Sequence, residues 1–243
     1  MRLAGKTGLV TGGATGIGQG IATALAGEGC RVAIAGRRDE ALREAAAAWA
    51  GDSPILTHTV DVTNRKSVAE LFRWADEKLG RVDILVNAAG INTPKRLMGD
   101  MPPESWDEVM AVNATGAYNC IHAVLPQMRQ RKDGLIVNIN SISGHRASCL
   151  GGVAYSASKF ALTALTTAVA LEEGKNGIRV TSICPGEVDT PLLRRRLVAV
   201  SAENLARILQ PAVVADAVLT VCCLPPRAHV FDLIIKPTLQ DFA

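Results

Sequence analysis

Short apolar runs alternate along this chain with longer stretches whose apolar positions recur every three or four residues. The first run, TGLVT at residues 7 to 11, predicts a short buried strand, and the Ala-rich stretch through Glu28 predicts a helix. RVAIAGRR gives a second strand ending at Gly36, followed by a helix from about Asp39 to Trp49. ILTHTV is a third strand; the next helix runs to about Leu79, with Asn64 placed to cap it. VDILVN is a fourth strand, and after the loop INTPKRLMGDMPP a long helical region spans about Glu104 to Arg131. GLIVNIN, a helix reaching about Glu173, and IRVTSICPG complete the repeating order before a last strand near the C-terminus. Strand alternating with helix throughout predicts an α/β fold: a doubly wound parallel sheet of about seven strands with helices on both faces. With no internal repeat, low-complexity linker or second core, residues 1–243 are expected to form one domain.

Composition narrows the function more by exclusion than by assignment. Apolar residues make up 48% and charged residues 20%, which is globular. Aromatics at 4% argue against a stacking platform for single-stranded nucleic acid, and a net charge of +3 leaves no electrostatic footprint for DNA or RNA. MRLAGKTGLVTGG meets a Gly-rich turn at once, so no secretory signal is expected, and no apolar run approaches membrane-spanning length. A soluble cytoplasmic protein is the expectation. The cysteines Cys30, Cys120, Cys149, Cys184, Cys222 and Cys223 form no C-x-x-C pair, and no Cys/His spacing resembles a zinc site. Free thiols, mostly buried, and no metal are expected.

The Gly-rich turn Gly12-x-x-x-Gly16-x-Gly18 sits between the first strand and the first helix. That is the context in which glycines let the backbone approach a pyrophosphate and a helix N-terminus offers free N–H groups, as in a Rossmann nucleotide site. An NAD-preferring site usually carries an acid at the end of the second strand to bond the ribose 2′-hydroxyl. Here Gly36 is followed by Arg37 and Arg38, and guanidinium groups favour a 2′-phosphate, so NADP(H) is preferred, with NAD(H) as the lesser alternative. The other reading makes both arginines solvated helix-entry charges, neutralised by Asp39 and Glu40. Asp61 ends the third strand, where its carboxylate can accept from an adenine amino group. Asn87, Ala88, Ala89 and Gly90 come at the end of the fourth, where small residues either let a flat cofactor pass close to the backbone or form a simple tight turn. Asn113 lies inside the long helical region, where asparagine is unfavourable by propensity; a local distortion there would turn a backbone carbonyl towards water.

The stretch SISGHRASCLGGVAYSASK, Ser141 to Lys159, carries the strongest candidate chemistry. Tyr155 and Lys159 are one helical turn apart, so phenol and ammonium share a face; taken alone the pair also reads as an ordinary one on an amphipathic helix. A free tyrosine has a pKa of about 10. A neighbouring cation favours the phenolate, and a tuned tyrosine can exchange a proton with an alcohol or a carbonyl oxygen. Ser141 is placed to donate a hydrogen bond to that same oxygen. Each motif lies at the C-terminal end of a strand or on the helix entered from one, where open α/β sheets bind ligands.

Taken together and in order, these residues resemble the short-chain dehydrogenase/reductase family. The resemblance runs from Thr11 to the last strand. It rests on Thr11-Gly12-Gly13-Ala14-Thr15-Gly16-Ile17-Gly18, Asp61, Asn87 to Gly90, Asn113, Ser141, Tyr155, Lys159, and Pro185-Gly186 with Thr190. It implies Tyr155 as general acid/base, Lys159 as its tuner and ribose ligand, Ser141 on the substrate oxygen, and Asn113 positioning a relay water. It implies cofactor contacts from Gly12, Thr15, Gly16, Ile17, Gly18, Arg37, Asp61, Val62, Asn87, Ala88, Gly90, Tyr155, Lys159, Pro185, Gly186, Val188 and Thr190. Residues 190–210 correspond to the family's substrate lid, and a homotetramer or dimer is expected. Two features depart from the family. Ser141 lies fourteen before Tyr155 rather than the family's thirteen, a position held here by Ile142, with Ser143 a second candidate at twelve. The C-terminus LPPRAHVFDLIIKPTLQDFA also lacks the Gly-rich ending of many tetrameric members, which leaves the oligomer geometry open.

The activity so implied is NAD(P)-dependent interconversion of a secondary alcohol and a ketone, on a small-molecule substrate and without nucleic acid or membrane partners. A 3-oxoacyl thioester and a small hydroxy acid or polyol are both open as substrates. Arg194, Arg195 and Arg196 either face an acidic substrate or form a solvated helix face, and His145 either lines the substrate pocket or is a polar loop residue. The alternative of another class is a non-catalytic dinucleotide sensor or scaffold on the same fold.

Overall fold

In the computed structural model the chain is described over residues 1–195 and 200–241. The first half runs β1 (Thr7–Thr11), α1 (Gly16–Gly27), β2 (Arg31–Gly36), α2 (Asp39–Ala47), β3 (Leu56–Thr59), α3 (Arg65–Leu79) and β4 (Ile84–Asn87). Then come α4 (Pro103–Met110), α5 (Gly116–Arg131), β5 (Gly134–Ile139), α6 (Val153–Glu173), β6 (Ile178–Pro185), α7 (Ala202–Leu205), α8 (Pro211–Cys222) and β7 (Asp232–Ile235). The seven strands form one parallel sheet in the order β3-β2-β1-β4-β5-β6-β7. The direction of winding reverses between β1 and β4, which opens a crevice at the strand ends there.

Each central strand is apolar on both faces because helices cover both. Leu9, Leu85 and Ile136 point to one side and pack with Leu71 of α3 and Val124 and Met128 of α5. Their neighbours Val10, Val86 and Val137 point to the other and meet Ile21 and Leu25 of α1 and Val214 and Val218 of α8. This is the two-residue pleat expressed on a doubly covered sheet. Each such side chain contributes about 1.5–3 kcal/mol of burial.

Helix ends follow local chemistry. Asn64 caps α3, its Oδ1 accepting from the N–H groups of Lys66 and Ser67 at 2.9 and 3.2 Å. Pro103 and Pro211 open α4 and α8, where the missing N–H costs nothing. The long helical region expected between Glu104 and Arg131 is interrupted, with a single π-helical turn at Ala111–Thr115 joining α4 to α5. Asn113 stands in that turn.

Between β6 and α8, Thr190, Pro191, Leu192 and Leu193 border the cavities at the strand ends. The base of this segment is clasped: Val188 pairs with Leu209, Asp189 N–H donates to the Leu209 carbonyl at 2.8 Å, and Leu209 N–H donates to the Glu187 carbonyl at 3.0 Å. No helix among the described residues is long and apolar enough to cross a membrane.

Candidate active site

Two glycines of the turn between β1 and α1 admit no side chain. Gly12 has φ +68°, and a Cβ there would stand 2.7 Å from the Ala88 carbonyl oxygen; one on Gly18 would stand 2.3 Å from that of Gly12. The turn therefore folds flat against the chain after β4 and leaves the start of α1 open. No side chain caps α1 and no acid stands in its first turn. Its N–H groups and the positive end of its dipole remain available to an anion.

A cleft of about 380 Å³ runs from this turn along the strand ends. Gly12, Thr15, Gly16, Ile17 and Gly18 line one end, with Arg37, Asp61 and Val62 beyond them. Ala88 and Gly90 form a smooth wall, and Tyr155, Lys159 and Thr190 the far end. A smaller pocket of about 140 Å³ adjoins it, lined by Ser141, Ser143, Pro185, Gly186 and Val188 among others. Ile17, Asn140, Tyr155 and Thr190 border both cavities. The structure thus places Pro185, Gly186 and Val188 around the smaller pocket rather than along the cleft.

Two expected residues line neither cavity. Asn87 is buried at the end of β4, its Nδ2 donating to Asn138 Oδ1 at 2.9 Å. Asn113, 1% exposed, lies behind the Gly90 wall. Its Oδ1 accepts from Ile91 N–H at 2.8 Å, and its Nδ2 donates to the Ile91 carbonyl at 2.9 Å and to Ser158 Oγ at 3.0 Å. With its side chain committed to this loop, what Asn113 has left to offer a water is its backbone carbonyl, within the loosened π turn.

Tyr155 and Lys159 do share one face of α6. The Lys159 ammonium lies 5.5 Å from the centre of the Tyr155 ring and donates to the Ile139 carbonyl at 2.9 Å. Lys159 is 4% exposed, and burial pulls its pKa down to about 8, opposed by the thiol of Cys184 nearby. Ser141 precedes a 3-10 turn, Ile142–Gly144, and its Oγ accepts from Ser143 N–H at 3.1 Å. That bond occupies a lone pair and leaves the hydroxyl proton for another partner. The segment between Ser141 and Tyr155 is held from outside: Asn92 Nδ2 donates to the Gly151 carbonyl and Arg96 Nη1 to that of Leu150. Ser141 and Tyr155 line the same pocket despite the fourteen-residue spacing. Ser143 lines it too.

Several pocket residues carried no motif. Asn92 and Arg96 come from the loop after β4, Ser148 from the segment before α6, and Gln240 from the C-terminal tail. Gln240 Oε1 accepts from Glu187 N–H at 2.8 Å, which locks the tail under the Pro185-Gly186 turn. His145 turns away from the pocket and bonds Asp232 Oδ2 at 2.8 Å, so the lining role considered for it is not realised. The carboxylate facing Arg37 is Glu108, at 3.9 Å, while Asp39 pairs with Arg43 instead. Arg194 is exposed on a short 3-10 turn, and Arg196 lies outside the described residues. All six cysteines are free; Cys30, Cys120, Cys184 and Cys222 are buried, Cys223 is half-buried and Cys149 is exposed.

The family model described as "short chain dehydrogenase" matches residues 6–199. This chain belongs to that family. The short-chain dehydrogenase fold is shared along the whole chain with an archaeal alcohol dehydrogenase from Thermococcus sibiricus, complexed with 5-hydroxy-NADP: TM-score 0.87, 27% identity, 97% of this chain and 98% of that one. The 3-ketoacyl-(acyl-carrier-protein) reductase from Brucella melitensis, complexed with NADH, superposes with a TM-score of 0.88 at 28% identity, covering 96% of this chain and 98% of that one. In sequence, the D-beta-hydroxybutyrate dehydrogenase of Cupriavidus necator is 38% identical over 198 residues, 81% of this chain and 76% of that protein. The cleft of this short-chain dehydrogenase suits a dinucleotide on its own features: glycines in the turn that admit no Cβ, an uncapped helix start, and Asn140 Oδ1 buried without a protein partner at the junction of both cavities.

Proposed function

We propose that this oxidoreductase interconverts a secondary alcohol and a ketone, with NADP(H) as preferred cofactor and Tyr155 as general acid/base. The observation that carries the reading is the meeting of Ser141, Tyr155 and Lys159 where the smaller pocket opens into the cleft. The nicotinamide, when bound, supplies hydride transfer. The protein's part is orientation and proton transfer. Ser141 holds the substrate oxygen with its remaining O–H. Tyr155 exchanges the proton with that oxygen, and the Lys159 ammonium beside the ring favours the phenolate form. Arg37 and Arg38 at the adenine end of the cleft support recognition of a 2′-phosphate.

The substrate reading is a small polar hydroxy acid and its keto partner. A pocket of about 140 Å³ edged by Asn92, Arg96, Ser148 and Gln240 favours a compact polar molecule over a long acyl chain. The similarity to a hydroxybutyrate dehydrogenase points the same way.

The test is Tyr155→Phe, assayed by nicotinamide absorbance against a panel of small hydroxy acids, polyols and 3-oxoacyl thioesters. Turnover should vanish while dinucleotide binding, read by fluorescence, persists. Full turnover in that variant defeats the mechanism. Tight dinucleotide binding by the unaltered protein with no turnover across the panel would favour a sensor.

A further inference from the structure

Behind the substrate pocket, three segments far apart in sequence bring together a histidine, a cysteine and a carboxylate. His145 follows the Ser141 turn, Cys184 is the penultimate residue of β6, and Asp232 is the first residue of β7. His145 Nε2 lies 2.8 Å from Asp232 Oδ2 and 3.3 Å from Cys184 Sγ, and Cys184 Sγ lies 3.2 Å from Asp232 Oδ1. None of the three lines the cleft or the pocket.

We propose that His145 Nε2, Cys184 Sγ and Asp232 form a binding site for one zinc ion, distinct from the dinucleotide and substrate cavities. The donor set is nitrogen, sulfur and oxygen, the mixture zinc accepts, and a thiolate selects against magnesium and calcium. Zinc bonds of about 2.0–2.3 Å in a tetrahedron hold such donors roughly 3.4–3.6 Å apart. His145 Nε2 and Cys184 Sγ, 3.3 Å apart, already stand near this spacing, and the Asp232 carboxylate, whose two oxygens face one partner each, has to turn so that a single oxygen meets the ion. One thiolate and one carboxylate neutralise the dication, so the partly buried site carries no net charge when filled. Binding sends the thiol proton to solvent and leaves the imidazole proton on Nδ1. The side chains of His145 and Asp232 are 24% and 33% exposed, so the outer side of the site opens to water for the fourth position.

The surroundings support the donors. Ser182 Oγ stands 3.1 Å from the Cys184 sulfur and accepts from Asn140 Nδ2 at 3.2 Å. Asn140 borders both cavities, so one polar chain joins the ion site to the junction of cleft and pocket. A filled site would also tie the Ser141 turn and the strand leading to Pro185-Gly186 to β7.

The experiment is titration of the full-length, chelator-stripped protein with Co²⁺, followed by the thiolate-to-cobalt charge-transfer absorption, then displacement with Zn²⁺. One equivalent should generate the band and zinc should remove it. Cys184→Ser should abolish the band, His145→Ala and Asp232→Asn should each weaken Co²⁺ binding at least about tenfold, and Cys149→Ser should change nothing. Absence of the band, or its survival in Cys184→Ser, overturns the proposal. Should Cys184→Ser fail to fold, Asp232→Asn decides, since its partly exposed side chain is replaceable: unchanged cobalt affinity there overturns the proposal equally.

Discussion

Asn113 answers both polar groups of the Ile91 backbone, accepting from its N–H at 2.8 Å and donating to its carbonyl at 2.9 Å. A side-chain amide here does what a neighbouring strand would do, and it fixes the loop that forms one wall of the cleft. Asn113→Asp keeps the acceptor, loses both donated bonds and buries a charge. We expect a loss of about 2–3 kcal/mol in stability, read from the denaturant midpoint, with weaker dinucleotide binding by fluorescence. An aspartate variant with both properties intact would mean that the loop is held by other contacts.

Arg37 faces the cleft with Glu108 at 3.9 Å, both well exposed. Arg37→Ala should weaken NADPH binding roughly thirtyfold, the value of one charge-assisted bond of about 2 kcal/mol, and leave NADH nearly unchanged. Removing the competing carboxylate with Glu108→Gln should tighten NADPH slightly. Equal losses for both cofactors in Arg37→Ala would show that the arginine does not read the 2′-phosphate.

Burial holds Lys159 at a pKa of about 8, below the value near 10.4 of an unfolded lysine. Between those values the unfolded chain binds more protons than the folded one, so this group makes stability rise with pH, by at most about 1.4 kcal/mol per unit. The buried thiols of Cys30, Cys120 and Cys184, pushed up to about 12, act oppositely above pH 9. The difference between the cofactor-free protein and its Lys159→Met variant isolates the lysine. Thermal melts should show the variant's advantage shrinking from pH 8 to 10; a constant difference would contradict the burial argument.

Gly18→Ala would set a Cβ 2.3 Å from the Gly12 carbonyl oxygen, backbone against backbone. The turn must shift, at a cost of about 3 kcal/mol, and dinucleotide affinity should collapse with it. Gly99→Ala, with nothing within 4 Å of its Cβ, is the matched control and should be neutral in both assays.

Arg129 pairs with Glu173, a carboxylate 1% exposed at the end of α6. The guanidinium hydrogen bond holds the Glu173 carboxyl below its ordinary pKa. Its stabilising contribution is therefore complete above the unfolded carboxylate pKa and lost as pH falls through the lower folded value. Arg129→Ala should lower stability at neutral pH, because Glu173 then keeps only the Asn176 hydrogen bond and the more distant charge of Lys175. The deficit should narrow in acid, as chemical denaturation at pH 7 and pH 3 would reveal.

Much of this was legible from local pattern. Strands buried on both faces appear as unbroken apolar runs, so β1, β2 and β5 stand close to where periodicity put them. The Asn64 cap and the Tyr155–Lys159 face follow from short-range geometry, and an asparagine inside a helical stretch marked the distortion at Asn113. The pocket was less legible. Asn92, Arg96 and Gln240 lie on loops and a tail, where no periodicity operates, and the contacts of Asn92 and Arg96 with the segment between Ser141 and Tyr155 have no local signature. Its distance from Ser141 left His145 open as a pocket residue or a polar loop residue; in the fold it bonds Asp232 and does not line the pocket.

The chain alone carries the order of strands and helices, the spacing of Gly12, Gly16 and Gly18, and the Tyr155–Lys159 pair proposed for proton transfer. All of these are set within a few residues of one another by sterics, pleat and helical pitch. The tertiary structure decided which cavity each residue faces, which carboxylate meets Arg37, and that His145, Cys184 and Asp232 converge although 39 and 48 residues separate Cys184 from the other two. Such meetings depend on how whole elements pack across the sheet, and no local spacing encodes them.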